Sequence, residues 1–166
     1  MSRWARLALT LLLGAWGVAI ARDPGGSITH GLNLAIHETG HLVFLPFGEF
    51  LHFAGGTLFQ LLVPLAFLAY FLRRGDRHAA SLMLWWVGVN LWDVAPYIDD
   101  ARNLELPLVG GGEHDWNYLL DELGVLHLDH VIARRVHAAG TLVALVATGW
   151  GVRAAWARGA EAPAVS

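Results

Sequence analysis

The chain has 166 residues, a formal net charge of −3, 55% hydrophobic residues and only 15% charged ones, where an ordinary soluble domain carries about 25% charged. With a mean hydropathy of +0.47, this is the balance of a polytopic membrane protein, and it gives no sign of nucleic-acid binding. Cysteine is absent, which excludes disulfides, iron–sulfur clusters and thiolate zinc sites; any metal must be held by His, Asp or Glu.

Five apolar stretches follow one another. The first, residues 4–21, comes after Arg3 and Arg6 and ends in Ala19-Ile20-Ala21. It reads as a signal peptide with a small-residue cleavage site or as an uncleaved signal anchor, and its length favours the span. The second, residues 28–47, carries His37-Glu38-Thr39-Gly40-His41 and is ended by Pro46 and Gly48. The third, residues 53–72, opens around Gly55-Gly56, contains Gln60 and Pro64, and is closed by Arg73-Arg74-Gly75-Asp76-Arg77. The fourth covers residues 79–98 and the fifth residues 131–151. Residues 99–130 form an acidic polar connection holding Gly110-Gly111-Gly112, His114-Asp115-Trp116, His127 and His130. Within it, residues 117–126 read as a short amphipathic or re-entrant helix. Residues 157–166 read as a disordered tail.

The expected fold is therefore all-α. It is a single integral-membrane domain over residues 1–156, a polytopic transmembrane bundle of about five helices, with a short polar or re-entrant connection before the last. A bacterial cytoplasmic membrane is the expected location. Gly140 and Ala144, one turn apart, permit helix association without fixing an oligomeric state. Loop arginines mark the cytoplasmic side of such proteins. Here Arg3 and Arg6 lie three stretches away from Arg73–Arg77. Three full crossings would put these basic segments on opposite sides, so either one segment does not span, with residues 44–56 the favoured place for the excursion, or the arginine rule fails here.

The segment His37 to His41 is an H-E-x-x-H motif. On a helix, imidazoles at i and i+4 share one face and can grip a single Zn²⁺, and the glutamate between them can take a proton from an activated water. Two imidazoles and a carboxylate are costly in hydrocarbon, which points to a site. His30 and Asn33 extend the same polar stripe, and Asn33 could orient a ligand from behind. A catalytic zinc takes a third protein ligand. The residues 90–102 offer Asp99 and Asp100, with Asn90, Asp93, Tyr97 and Asp100 on one helical face if Pro96 does not break it. The rivals are His114, Asp93 and His137. His114, after three glycines, could bind metal or substrate or assist proton transfer; it could equally belong to an interfacial loop anchored by Trp116.

These features resemble the site-2 protease family of intramembrane zinc metalloproteases, with the chain as a divergent, minimal member. The H-E-x-x-H within a span is one point of likeness. A second is Gly56-Thr57-Leu58-Phe59-Gln60, set against the family's G-P-x-x-N. The third is the order Asn90, Pro96, Asp99–Asp100, set against its N-x-x-P-x-P-P-x-D-G segment. The departures are Gln60 for asparagine, Thr57 for proline, Asp93 at the late segment's first proline, no glycine after the aspartates, and a spacing from Asn90 longer by one or two residues. The resemblance implies Zn²⁺ on His37, His41 and a late aspartate. Counting back from Arg102 gives Asp99, and the helix face gives Asp100, which is preferred. It also implies Glu38 as the proton-transferring base, Gln60 on the substrate backbone or oxyanion, and a membrane-protein or peptide substrate.

Two other functions are compatible with the same residues. Activated water attacks ester and amide carbonyls alike, so a zinc hydrolase of lipids or small amphiphiles is one. A non-catalytic protein that binds or moves a metal ion is the other.

Overall fold

A computed structural model describes residues 1–109 and 112–157. Among these lie six α-helices and no strand: α1 (Arg3–Arg22), α2 (Ile28–Phe44), α3 (Glu49–Arg73), α4 (Arg77–Asp99), α5 (Asp115–Glu122) and α6 (Asp129–Ala157). The fold is all-α, as the composition and the apolar runs imply. Three helical segments are long and apolar enough to cross a membrane: Arg3–Arg22, Glu49–Arg73 and Leu126–Ala157. Most of their surface is exposed, including Leu11, Leu12, Leu62, Leu65, Phe67, Leu142 and Leu145. A helix apolar on its outward face needs lipid or another protein there. The expected tail falls almost wholly on residues 158–166, outside the described residues.

The central element is α4, packed against α1, α3 and α6. One core joins Ile20 of α1 with Trp85, Val89 and Trp92 of α4 and Ala144 and Ala147 of α6. The α4–α6 contact is close because both helices present glycine. A Cβ on Gly88 would stand 2.9 Å from the Gly140 carbonyl oxygen, and one on Gly140 would stand 2.9 Å from that of Gly88. Gly140 and Ala144 thus serve packing within the chain. A second core, Val94, Ile98 and Ala101 with Leu120 and Ala133, seats the short helix α5 beside the end of α4 and the start of α6.

Helix directions resolve the puzzle of the basic segments. The α1 start lies beside the α4 start, because His78 meets Thr10 Oγ1 at 3.0 Å and the Arg6 carbonyl oxygen at 3.2 Å. Near the other end of α1, the Ala21 carbonyl accepts from His137 Nε2 at 2.9 Å. Helix α2 then continues in the same direction and turns through Leu45–Phe47 into α3, which returns. The antiparallel α2–α3 pairing is fixed by His37 with Gln60 and His41 with His52. It is close-packed, since a Cβ on Gly40 would lie 2.2 Å from the Gly55 carbonyl oxygen. Between Arg6 and Arg73 the chain therefore descends once, in two helical pieces, and ascends once. Both basic segments sit at one end. The three-crossing arithmetic fails because α2 does not reverse α1.

The connection before α6 contains a helix, as expected, but it starts at Asp115 and not at Asn117. Helix α4 runs through Pro96 to Asp99.

Candidate metal centre

His37 and His41 occupy one face of α2, as their spacing requires. The carboxylate that meets them is Asp115, the first residue of α5. Its Oδ2 lies 2.9 Å from His37 Nε2 and 3.2 Å from His41 Nε2. One ligand atom from each of the three lies within 4.8 Å of the others, a grouping that could hold a metal ion.

The surroundings decide which atoms face the centre. His41 Nδ1 is 2.8 Å from the backbone carbonyl oxygen of His52. A carbonyl can only accept, so this nitrogen carries the proton and Nε2 of the neutral ring is a bare lone pair. His37 Nδ1 is 3.1 Å from Gln60 Oε1. The Gln60 amide is oriented by its other end, where Nε2 donates to Asp93 Oδ2 at 2.9 Å. His37 Nδ1 is then also the protonated nitrogen. Three lone pairs, two from nitrogen and one from a carboxylate, converge on one buried point. That is repulsive unless a cation or shared protons occupy it. Supporting acceptors behind each imidazole are the usual companions of metal-binding histidines.

Asp115 is held from several sides. Its backbone N–H donates to the Tyr97 hydroxyl at 3.2 Å, Asn117 Nδ2 donates to the Ala101 carbonyl at 2.8 Å, and Tyr118 stacks on Phe53 of α3 with ring centroids 4.2 Å apart. Burial pushes the Asp115 carboxyl up, but protons shared with it at His37 and His41 Nε2 outweigh this, and the net position is below the usual carboxylate range. The carboxylate is ionised at neutral pH, as a ligand must be.

Gly56 makes room for His37. A Cβ there would lie 2.3 Å from His37 Nε2 and 2.6 Å from Cδ2 and Cε1. The ring rests directly on the α3 backbone. Gly56→Ala is therefore expected to expel the His37 imidazole from its seat. Bound metal should fall well below that of wild type in elemental analysis, whereas the neighbouring exposed substitution Leu58→Ala should leave it unchanged.

The other sequence-nominated residues have different posts. Asp100 is not in the group, contrary to expectation. Its Oδ1 and Oδ2 accept from the backbone N–H groups of Glu105 and Leu106, each at 3.0 Å, and so pin the loop after α4. Asp99 points away and pairs with His130 Nδ1 at 2.7 Å. Asp100 follows the last residue of α4, where the chain turns and the turn consumes its carboxylate. His114 is the N-cap of α5: its Nδ1 accepts from Asn117 N–H at 3.2 Å, and Nε2 lies 3.5 Å from Asp100 Oδ2. Burial holds the His114 imidazole below its ordinary value. Both ends of the Gln60 amide are engaged, so it orients His37. Asn33 accepts from Trp86 Nε1 at 3.0 Å, and His137 is a helix-to-helix contact. Asp93 stands one layer behind the centre and joins Gln60 to His30, whose Nδ1 lies 2.7 Å from Asp93 Oδ1.

A cavity of about 340 Å³ reaches this cluster. Glu38, His37 and Gln60 line it on one side, with His30 and Asp93 beyond. Its remaining walls are mainly apolar, from Leu34, Val94, Tyr97 and the loop residues Leu106–Val109. Glu38 is half-buried and faces this space, adjacent in sequence to one of the three grouped residues. No family model matches this chain, and neither a curated protein nor a solved structure does.

Proposed function

We propose that the chain is an integral-membrane zinc hydrolase that cuts peptide bonds in or near the bilayer, in the manner of the site-2 protease family it resembles, with His37, His41 and Asp115 as the metal-holding residues. The supporting observation is the convergence of three lone pairs, from buried His37 and Asp115 and partly buried His41, beside a glutamate on a cavity wall. Two imidazoles and one carboxylate suit Zn²⁺ and leave a coordination position open. A zinc ion held by His37, His41 and Asp115 would supply Lewis acidity, which lowers the pKa of a water to about 7 and polarises an acyl oxygen.

The protein's own groups do the rest. Glu38 takes the proton of the attacking water and delivers it to the leaving amine. Gln60 and the His52 carbonyl hold the two rings in the tautomer that presents Nε2. Asp93 holds Gln60. The apolar cavity walls keep bulk water from the reacting carbonyl, which strengthens every charge interaction inside. A helical substrate must unwind locally to offer a bare peptide group.

The apolar lining of the cavity favours a second reading, a zinc hydrolase of lipid or small amphiphilic esters and amides. One experiment addresses both. Purified protein in nanodiscs is analysed for metal, then incubated with a panel of membrane peptides and lipids, with and without chelator. The expected result is about one zinc per chain and peptide cleavage that chelation abolishes and zinc restores. Cleavage of lipid alone would replace the first reading by the second. Wild-type protein that takes up no divalent metal would end both.

A further inference from the structure

The arginines are not spread evenly over the two ends of the bundle. The starts of α1 and α4 and the ends of α3 and α6 meet at one end, which carries Arg3, Arg6, Arg73, Arg74, Arg77 and Arg153. All but Arg6 are exposed. Among the described residues this end holds one acidic side chain, Asp76, which caps α4 by accepting from Ala79 N–H at 3.2 Å. Aromatic rings sit beside the cations. The Arg3 guanidinium lies 4.8 Å from the Trp4 ring and 5.6 Å from that of Trp156, and Arg74 lies 5.6 Å from the Tyr70 ring. Arginine with Trp and Tyr at the end of apolar helices is the composition of a membrane–water boundary.

The opposite end carries the candidate metal centre and differs in charge. Glu49, Asp99, Glu105, Glu113, Asp121 and Glu122 are exposed there. Its four arginines are Arg22, Arg102, Arg134 and Arg135, and Arg102 is committed to the buried Asp129 through contacts of 2.7 and 2.8 Å. Orientation follows the arginine bias in short loops near span ends, with acidic residues contributing little. Anionic lipid in the cytoplasmic leaflet also attracts juxtamembrane basic groups.

We infer that the arginine–aromatic end is a docking surface for the anionic headgroups of the cytoplasmic leaflet, so that the His37–His41–Asp115 centre and its cavity open toward the extracytoplasmic side. The inference rests on the chain's crossing a bilayer and does not depend on any enzymatic activity. It sets the substrate and metal supply of the centre: both are drawn from outside the cytoplasm, or from the outer half of the membrane.

The absence of cysteine makes this directly testable. Leu123, 60% exposed, follows α5 at the centre-bearing end, and Ala157, also exposed, ends α6 at the arginine end. Neither substitution removes a charge. In bacterial spheroplasts expressing full-length Leu123→Cys, a membrane-impermeant maleimide is expected to label the thiol without permeabilisation. Ala157→Cys should be labelled only after permeabilisation. The reverse pattern, or equal labelling of both in intact spheroplasts, overturns the orientation. Extraction of the wild-type chain by alkaline carbonate would instead overturn the membrane reading itself. In the background Arg73→Gln, Arg74→Gln, Arg77→Gln, the fraction of Leu123→Cys protected in intact spheroplasts should rise several-fold. An unchanged fraction removes the arginine end as the determinant.

Discussion

Glu38→Gln is expected to leave zinc content at about one ion per chain while lowering hydrolysis by about 10²–10⁴-fold, the range for loss of a positioned general base. The reasoning separates two tasks that the motif places on neighbouring residues. Glu38 lines the cavity but is not among the three grouped residues, so the amide should not disturb metal retention. Glutamine keeps the size and polarity of glutamate and removes only the ability to accept a proton. Elemental analysis and single-turnover assays on the same preparation check both halves. Equal activity in the variant would take Glu38 out of the chemistry, and simultaneous loss of metal would recast it as a ligand.

The second large effect is expected at Asp115. Asp115→Ala should weaken zinc binding by more than the 10–100-fold typical of losing a supporting group behind a ligand, and hydrolysis should fall with it. Asp100→Ala is the informative comparison, because both side chains are buried carboxylates in the same part of the fold. Asp100 accepts from Glu105 and Leu106 in the loop after α4, so its loss should lower thermal stability and leave stoichiometric zinc in place. Isothermal titration with zinc on the two metal-stripped variants distinguishes them. Retained affinity in Asp115→Ala together with lost affinity in Asp100→Ala would restore the sequence-based assignment of the third ligand.

That assignment shows how far the sequence could be read. The pairing of His37 with His41 follows from helical spacing alone, and the all-α class follows from the apolar runs. Gln60 was legible as a residue of the site only through the resemblance, from its place four positions after Gly56. Its partner was not, because an amide can serve a substrate or a ligand equally well, and only the position of Asp93 Oδ2 decides which end faces His37. The structure groups Asp115 with the two histidines, where helical periodicity nominates Asp100. Helical periodicity predicts neighbours within an element, and Asp100 lies just past the end of α4, where that periodicity no longer holds. Asp115 reaches the centre through tertiary packing of α5, fixed by Phe53 against Tyr118 and by Tyr97 under its backbone N–H. One signal was available: a His-Asp pair after a glycine run, at the start of a helix, in a chain short of acidic residues within its apolar segments. The direction of α2 was hidden for a similar reason. Apolar length marks a segment as able to cross a bilayer, and it carries no sign of whether the segment reverses its predecessor.

The glycine seat beneath His37 and the separate short helix bearing Asp115 together have a thermodynamic consequence. Two of the three grouped side chains belong to the α2–α3 hairpin's own framework, while the third is delivered from 74 positions further along the chain than His41. An ion held between them would act as a clasp joining remote parts of the polypeptide. Saturation at a hundred times the dissociation constant would add about 2.7 kcal/mol to the folded form, and amide protons of α5 should exchange with solvent more slowly in the loaded protein than in the stripped one.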